Sequence, residues 1–332
     1  MKFNEILANL SKKVYQPVYF LMGDETYFID EICDYMVNHV LDESEKEFNQ
    51  TILYGKDTDV ATIISESKRF PLIGTHRVVI VKEAQHIRKI EGLEVYLEQP
   101  QPSTILVICY KYKTLDKRKK FTKELAKKNV LFESKKLYDN QIPDWIQNHL
   151  SKHKYSIHPK AAFLLSEYLG ADLGKITNEL DKLMLVNKKG QEITSDIIER
   201  NIGISKDFNN FELNNALGKR DILKSNLIIK HFAANPKDNP LVVTIGVLFG
   251  FFQKILLYHT LKDKSKKNVA STLKVNPFFV RDYELAARNY TKGKLVKIIS
   301  YLREYDLKSK GVNNNSVSEG ELLKELIYKI LH

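Results

Sequence analysis

The residues best placed to do chemistry sit where a short apolar run meets a helix signal. Val18 to Met22 (VYFLM) reads as a buried strand, Gly23-Asp24-Glu25 follows, and Thr26 to Val40 reads as a helix. In a nucleotide-binding α/β domain this junction carries G-x-x-x-x-G-K-[ST], whose backbone amides and lysine hold phosphates. Here it reads GDETYFID, with one glycine, no lysine and two carboxylates where phosphates would lie. Two negative charges repel a polyphosphate, so the chain reads as an ATPase-type domain without nucleotide chemistry. An ordinary strand–helix turn with an acidic cap is the alternative.

Other chemistry is sparse. No HExxH or GxSxG occurs. His153 and His158 flank a break at Ser156 and Pro159, which speaks against shared metal ligation. Cys33 and Cys109 lie in apolar patterns without CxxC spacing, so neither a zinc site nor a disulfide framework is expected, and a reducing cytoplasm is the natural compartment. No cofactor is expected.

A different kind of site is carried by Phe70-Pro71-Leu72-Ile73-Gly74. Pro71 fixes its φ and Gly74 permits a sharp turn, so Leu72 and Ile73 can project from a corner. Burying each against a partner would contribute roughly 1.5–3 kcal/mol. The competing reading makes both residues core at the edge of a strand.

Net charge is +11, and most of it is concentrated. Lys111 to Lys136 holds eleven Lys or Arg against three acids. Such a patch attracts polyanions, nucleic acid above all. Few aromatics interleave to stack bases, and a solvated helix face explains the run equally well.

These residues need a scaffold, and 332 residues suffice for two or three domains. Up to about residue 137, strands and helices alternate. Strands are expected at Val18–Met22, Thr51–Tyr54, Arg77–Val81, Ile105–Tyr110 and Val130–Phe132. Helices are expected at Tyr27–Val40, Val60–Ser67, Leu93–Glu98 and Arg118–Lys127, and an amphipathic one carries Phe3, Ile6, Leu7 and Leu10. The continuous runs VVIV and ILVI suit a mostly parallel sheet covered on both faces. After about Leu137 strands stop. Short helices at Asp144–His153, Lys160–Leu169, Leu173–Val186 and Ser195–Arg200 form a small module, residues 138–207. Longer apolar helices fill 208–332, with breaks near Asn235–Pro240, Lys262–Asn268, Asn276–Pro277 and Gly311–Asn315, and Glu319–Leu331 ends the chain. Leu241–Leu257 approaches a membrane span, but Gln253 and Lys254 interrupt it, and a helix buried among helices is expected.

Five segments in order resemble the δ subunit of bacterial DNA polymerase III. They are YFLMGDETYFIDE (Tyr19–Glu31), RFPLIGTHRVVIVKEA (Arg69–Ala84), ILVICYKYKTLDKRKKFTKELAKK (Ile105–Lys128), YLGADLGKITNELDKL (Tyr168–Leu183) and AARNYTKGKLVKIISYLREYDLKSKGV (Ala286–Val312). The resemblance implies an AAA+-like α/β domain without a Walker A loop (1–137), a helical lid (138–207) and a helical collar for oligomerisation (208–332). It implies a clamp-loader subunit without catalysis of its own, acting within the polymerase holoenzyme. Its partners would be the sliding clamp, ATPase subunits of the γ/τ and δ′ types, and primer–template DNA, with no membrane. Phe70, Pro71, Leu72 and Ile73 would contact the clamp, and Lys117, Arg118, Lys119 and Lys120 the DNA. Where the family's turn commonly ends in Leu-Phe, this chain has Leu72-Ile73, which lacks the flat ring. The Ser-Arg-Cys finger of the family's ring partners is missing. Two other functions fit the residues alone: an ATPase with a degenerate phosphate loop, and a stand-alone basic nucleic-acid-binding protein.

Overall fold

The computed structural model describes residues 1–314 and 316–332; Asn315, the last residue of the expected break at 311–315, lies outside the described residues. The chain divides into two compact units, Met1–Leu137 and Tyr138–His332.

The first unit is built on five parallel strands: β1 (Val18–Gly23), β2 (Gln50–Tyr54), β3 (Arg77–Lys82), β4 (Thr104–Lys111) and β5 (Val130–Ser134). Their order in the sheet is β2-β3-β4-β1-β5. Phe20 of β1 lies opposite Ile108 of β4 and Leu131 of β5. Alternate residues of each strand point to opposite faces. Phe20, Met22, Val79, Val81 and Leu106 pack with Ile63 of α4 (Val60–Ser67), Tyr96 of α5 (Glu94–Glu98) and Phe121 of α6 (Lys120–Lys128). Tyr19, Leu21, Val78, Ile80 and Val107 pack instead with Ile6 and Leu10 of α1 (Phe3–Ser11) and Ile29, Ile32 and Met36 of α2 (Thr26–His39). Both faces are therefore dry, which is why the strands read as unbroken apolar runs.

Helix α3 (Glu43–Asn49) is absent from the sequence reading. Its ESEKEFN stretch buries only Asn49 and shows no apolar stripe. Helix α6 starts at Lys120 rather than at Arg118, because the Asp116 carboxylate accepts the Arg118 amide at 3.0 Å and holds the preceding residues in a turn.

In the second unit the helices run α7 (Ile142–Lys152), α8 (Pro159–Leu169), α9 (Leu173–Val186), α10 (Ser195–Ile202), α11 (Asn210–Lys219), α12 (Ile222–Ala234), α13 (Leu241–Tyr258), α14 (Lys266–Leu273), α15 (Val280–Asn289), α16 (Lys292–Ser309) and α17 (Glu319–Leu331). Strands do not stop entirely at Leu137: β6 (Ser156–Ile157) and β7 (Glu192–Ile193) form a two-residue parallel pair, too short to leave a sequence signal. Leu173, Ile176, Leu180 and Leu183 are the buried stripe of α9, and Asp172 caps it by accepting the Lys175 amide. Glu212 of α11 is buried between Lys160 of α8 and Lys224 of α12, joining the earlier helices to the later ones. Burial opposes its ionisation, but hydrogen bonds from both lysines hold its carboxyl below the usual range.

Helix α13 is long and apolar enough to cross a membrane by length and composition. It is not enclosed all round. Ile245, Leu248, Phe252 and Ile255 face the core of this unit, whereas Val242, Val243, Phe249 and Leu257 remain exposed.

Glu167 on α8 has its Oε2 sealed from solvent without a hydrogen-bond partner. Burial pushes its carboxyl up to about 7, against the pull of the Phe211 amide and the Lys254 charge. A carboxyl raised in the folded state favours folding below its unfolded value of 4.5, and that contribution is lost as pH rises through about 7. Glu167→Gln is therefore expected to raise stability at pH 8 by about 3 kcal/mol and to change it little at pH 4. Urea unfolding at the two pH values checks the sign, and equal shifts at both would contradict it.

Candidate functional site

All five strands run the same way, so the two ends of the sheet carry different loops. The junction after β1 and the basic loop after β4 lie at the carboxyl end. The segment from Phe70 to Gly74, which leads into β3, lies at the amino end.

At the carboxyl end the junction is tightly closed. Gly23 has φ 128°, and a Cβ there would fall 1.9 Å from the Ser134 carbonyl oxygen, so only glycine fits. The Asp24 amide donates to the Ser134 carbonyl at 3.1 Å, and Ser134 Oγ donates to the Glu25 carbonyl at 2.6 Å. Gly23 also pairs with the loop after β4, through the Lys113 carbonyl and the Tyr112 amide. The buried Glu25 carboxylate accepts the Tyr27 amide at 3.2 Å and caps α2. The Gly23, Asp24 and Tyr27 amides are thus engaged within the chain, and a carboxylate stands among them where a phosphate would lie.

The basic loop is less bare than its sequence. Each of the four residues singled out has a carboxylate partner: Lys117 with Glu133 (2.6 Å), Arg118 with Asp116 (2.9 Å), Lys119 with Glu91 (2.6 Å) and Lys120 with Glu94 (2.7 Å). Glu91 and Glu94 come from outside the basic run, which is why composition overstates its charge. The hydrogen bond from Lys119 holds Glu91 below the usual carboxylate range. All four cations are solvent-exposed, and such pairs contribute about 0–1 kcal/mol. A phosphate can displace them at little cost.

The amino end presents the opposite character. Leu72 is 74% exposed, Phe70 73% and Ile73 42%, while Pro71 is half-buried. These side chains are not core residues at a strand edge. Their backbone, in contrast, is held rigidly. Asn49, fully buried at the end of α3, accepts the Leu72 amide on Oδ1 at 2.8 Å and donates from Nδ2 to the Ile73 carbonyl. One side chain therefore brackets the pair from both sides. Gly74 has φ 69°, and a Cβ there would meet the Glu45 carboxylate.

Arg77, buried at the start of β3, ties together the elements around this corner. Its guanidinium donates to the Phe48 carbonyl (3.3 Å), Thr51 Oγ1 (2.9 Å), the Glu66 carbonyl (3.2 Å) and Glu66 Oε2 (2.7 Å). Thr104 Oγ1 adds a bond to the Arg69 carbonyl at 3.3 Å. Beside Asn49, Phe48 is also exposed, and so are Ile52 and Tyr54 on the edge strand β2. Sequence reasoning missed Asn49, Arg77 and Phe48 as parts of this site. Asn49 is 23 and 24 residues from its partners, and no local pattern marks such a contact. Two apolar side chains on a fixed backbone can dock a partner without first losing loop entropy.

Removing the bracket is expected to loosen the corner while leaving the sheet intact. Asn49→Ala should cost about 1–3 kcal/mol, since it strands the Leu72 amide and the Ile73 carbonyl. Hydrogen exchange should show the Leu72 amide deprotected and β3 amides unchanged; an equally protected Leu72 would mean that Asn49 does not hold the loop.

The family described as DNA polymerase III, delta subunit, matches residues 19–135, and its C-terminal domain matches residues 207–326. DNA polymerase III subunit delta of Bacillus subtilis (strain 168) is 30% identical over 318 residues, covering 92% of this chain and 91% of that protein. The solved Bacillus subtilis DNA clamp loader delta protein is similar over 99% of both chains, with a TM-score of 0.53 and 26% sequence identity. Both halves of the family's sequence pattern fall on the two structural units described above, and the chain belongs to the DNA polymerase III delta subunit family.

Proposed function

We propose that this clamp-loader subunit binds a sliding clamp through Leu72 and Ile73, with Phe70 and Pro71 as flanking contacts, and helps to open the ring. The observation that carries this reading is the exposed apolar pair on a backbone that Asn49 brackets. A monomeric surface has no reason to immobilise two aliphatic side chains in water, whereas an interface does. Ring opening then needs no catalytic group. A subunit that binds better beside an opened clamp interface shifts the ring toward that state, by no more than the difference in binding free energy.

Partner ATPase subunits of the γ/τ and δ′ types would control when this corner is available. The closed junction at Gly23 fits a subunit that leaves hydrolysis to them, within a polymerase holoenzyme in the cytoplasm. Residues 138–207 would act as the lid module and 208–332 as the oligomerising collar. The exposed side of α13, with Val242, Val243 and Phe249, gives that collar an apolar face to cover. Lys117, Arg118, Lys119 and Lys120 would hold primer–template DNA through phosphates within the assembled loader.

Two measurements test these assignments. The double variant Leu72→Ala, Ile73→Ala should lose at least about a hundredfold in clamp affinity, given roughly 1.5–3 kcal/mol per buried side chain. Surface plasmon resonance with immobilised clamp reads this directly, and an unchanged affinity would remove the corner from the interface. For the basic loop, Lys119→Ala with Lys120→Ala in the assembled loader should weaken primer–template binding and flatten its log–log salt slope by about 0.9 per lost contact. An unaltered slope would assign those lysines to intramolecular pairing alone.

A further inference from the structure

The second unit encloses a cavity of about 550 Å³ that none of the roles above uses. That volume falls in the range of small-ligand sites. Its charged lining is unbalanced. Asp139, Asp144, Glu167 and Asp282 contribute carboxylates, against the ammonium groups of Lys254 and Lys274.

Three side-chain oxygens near the first turn of α11 lack partners. Glu167 Oε2, Asn210 Oδ1 and Asn214 Oδ1 are all sealed from solvent without a hydrogen bond. Asn210 and Asn214 lie one helical turn apart on the same face of α11, and the Glu167 carboxyl is influenced by the neighbouring Phe211 amide. Three orphaned oxygens in one cavity are a costly arrangement for an empty site. Aromatic rings line the same cavity. Phe163, Phe211 and Phe279 form a mutually packed trio with ring centroids 5.1–5.4 Å apart, and Phe251 packs on Tyr283 at 5.5 Å. Burial lowers the Lys254 ammonium below its usual range and raises the Asp282 carboxyl, so both respond to a low-dielectric interior.

We propose that this cavity binds a planar guanidinium-type cation, its N–H groups donating to Glu167, Asn210 and Asn214 and its flat face lying against the phenylalanine rings. A guanidinium suits the site better than a simple ammonium. It is planar, it presents donors along several edges, and it is weakly hydrated enough to stack on aromatic rings. Its net charge complements the acidic lining. The same group is available from a free small molecule and from an arginine side chain of a partner chain.

Isothermal titration of the full-length chain distinguishes these possibilities. The probes are agmatine, the tripeptide acetyl-Gly-Arg-Gly-amide, and putrescine as an ammonium comparator without a planar group. Agmatine should saturate with a Kd below about 1 mM, and putrescine should bind at least about tenfold more weakly. Glu167→Gln should weaken agmatine about tenfold, and Asn214→Leu should do the same by filling the donor-facing side, each variant being checked for an unchanged far-UV spectrum. Binding of agmatine without the tripeptide assigns the site to free small cations; equal or tighter binding of the tripeptide assigns it to an arginine side chain. Failure of both guanidinium probes to saturate, putrescine affinity equal to that of agmatine, or agmatine affinity unmoved in both variants would overturn the proposal.

Discussion

A single buried guanidinium holds the corner that exposes Leu72 and Ile73. Arg77 sits at the first residue of β3, where strand, preceding loop, edge strand and two helices converge. Its charge is shielded by Glu66, and its remaining donors reach carbonyl and hydroxyl oxygens on α3, β2 and α4. A buried cation is tolerable only when its donors are matched, and the five N–H groups of arginine can match several segments at once. A lysine at this position would keep the charge but lose the fork that reaches in several directions. The loop from Phe70 to Gly74 is therefore positioned from beneath, by polar contacts that leave its apolar side chains free.

The parallel sheet separates two kinds of surface. In open α/β sheets, ligands commonly meet the carboxyl ends of the strands. Here that end is closed by β5 and carries paired surface charge, while the exposed apolar corner lies at the amino end. Burial of both sheet faces makes this separation robust. Neither end can tilt toward the other without dragging dry strands such as Val78–Val81 through packed helices.

Much of this arrangement was legible in the sequence, for identifiable reasons. VVIV and ILVI announced central strands because both of their faces are buried, and GDETYFID announced a junction without a phosphate loop because it has one glycine, no lysine and two carboxylates. Leu72 and Ile73 were recognisable as a pair flanked by proline and glycine, although the residues alone left core and surface open. What stayed hidden depends on distant partners. ESEKEFN has too little apolar content to signal α3, so the role of Asn49 could not be read locally. The basic run looked unopposed because Glu91 and Glu94 precede it in the chain and meet it only in space. Glu167 and Asn214 look like ordinary helix-surface residues until α8 and α11 come together.

The seam between Gly23 and Ser134 also bears on how freely this junction can change. Placing a lysine after β1 would not by itself create a phosphate cradle, because β5 occupies the space and already receives the Asp24 amide. Several changes would be needed together, and each alone would break a stitch without yielding a ligand. The seam thus works as a mutational lock: any single substitution toward a phosphate site loses a contact between β1 and β5 before it gains one to a ligand.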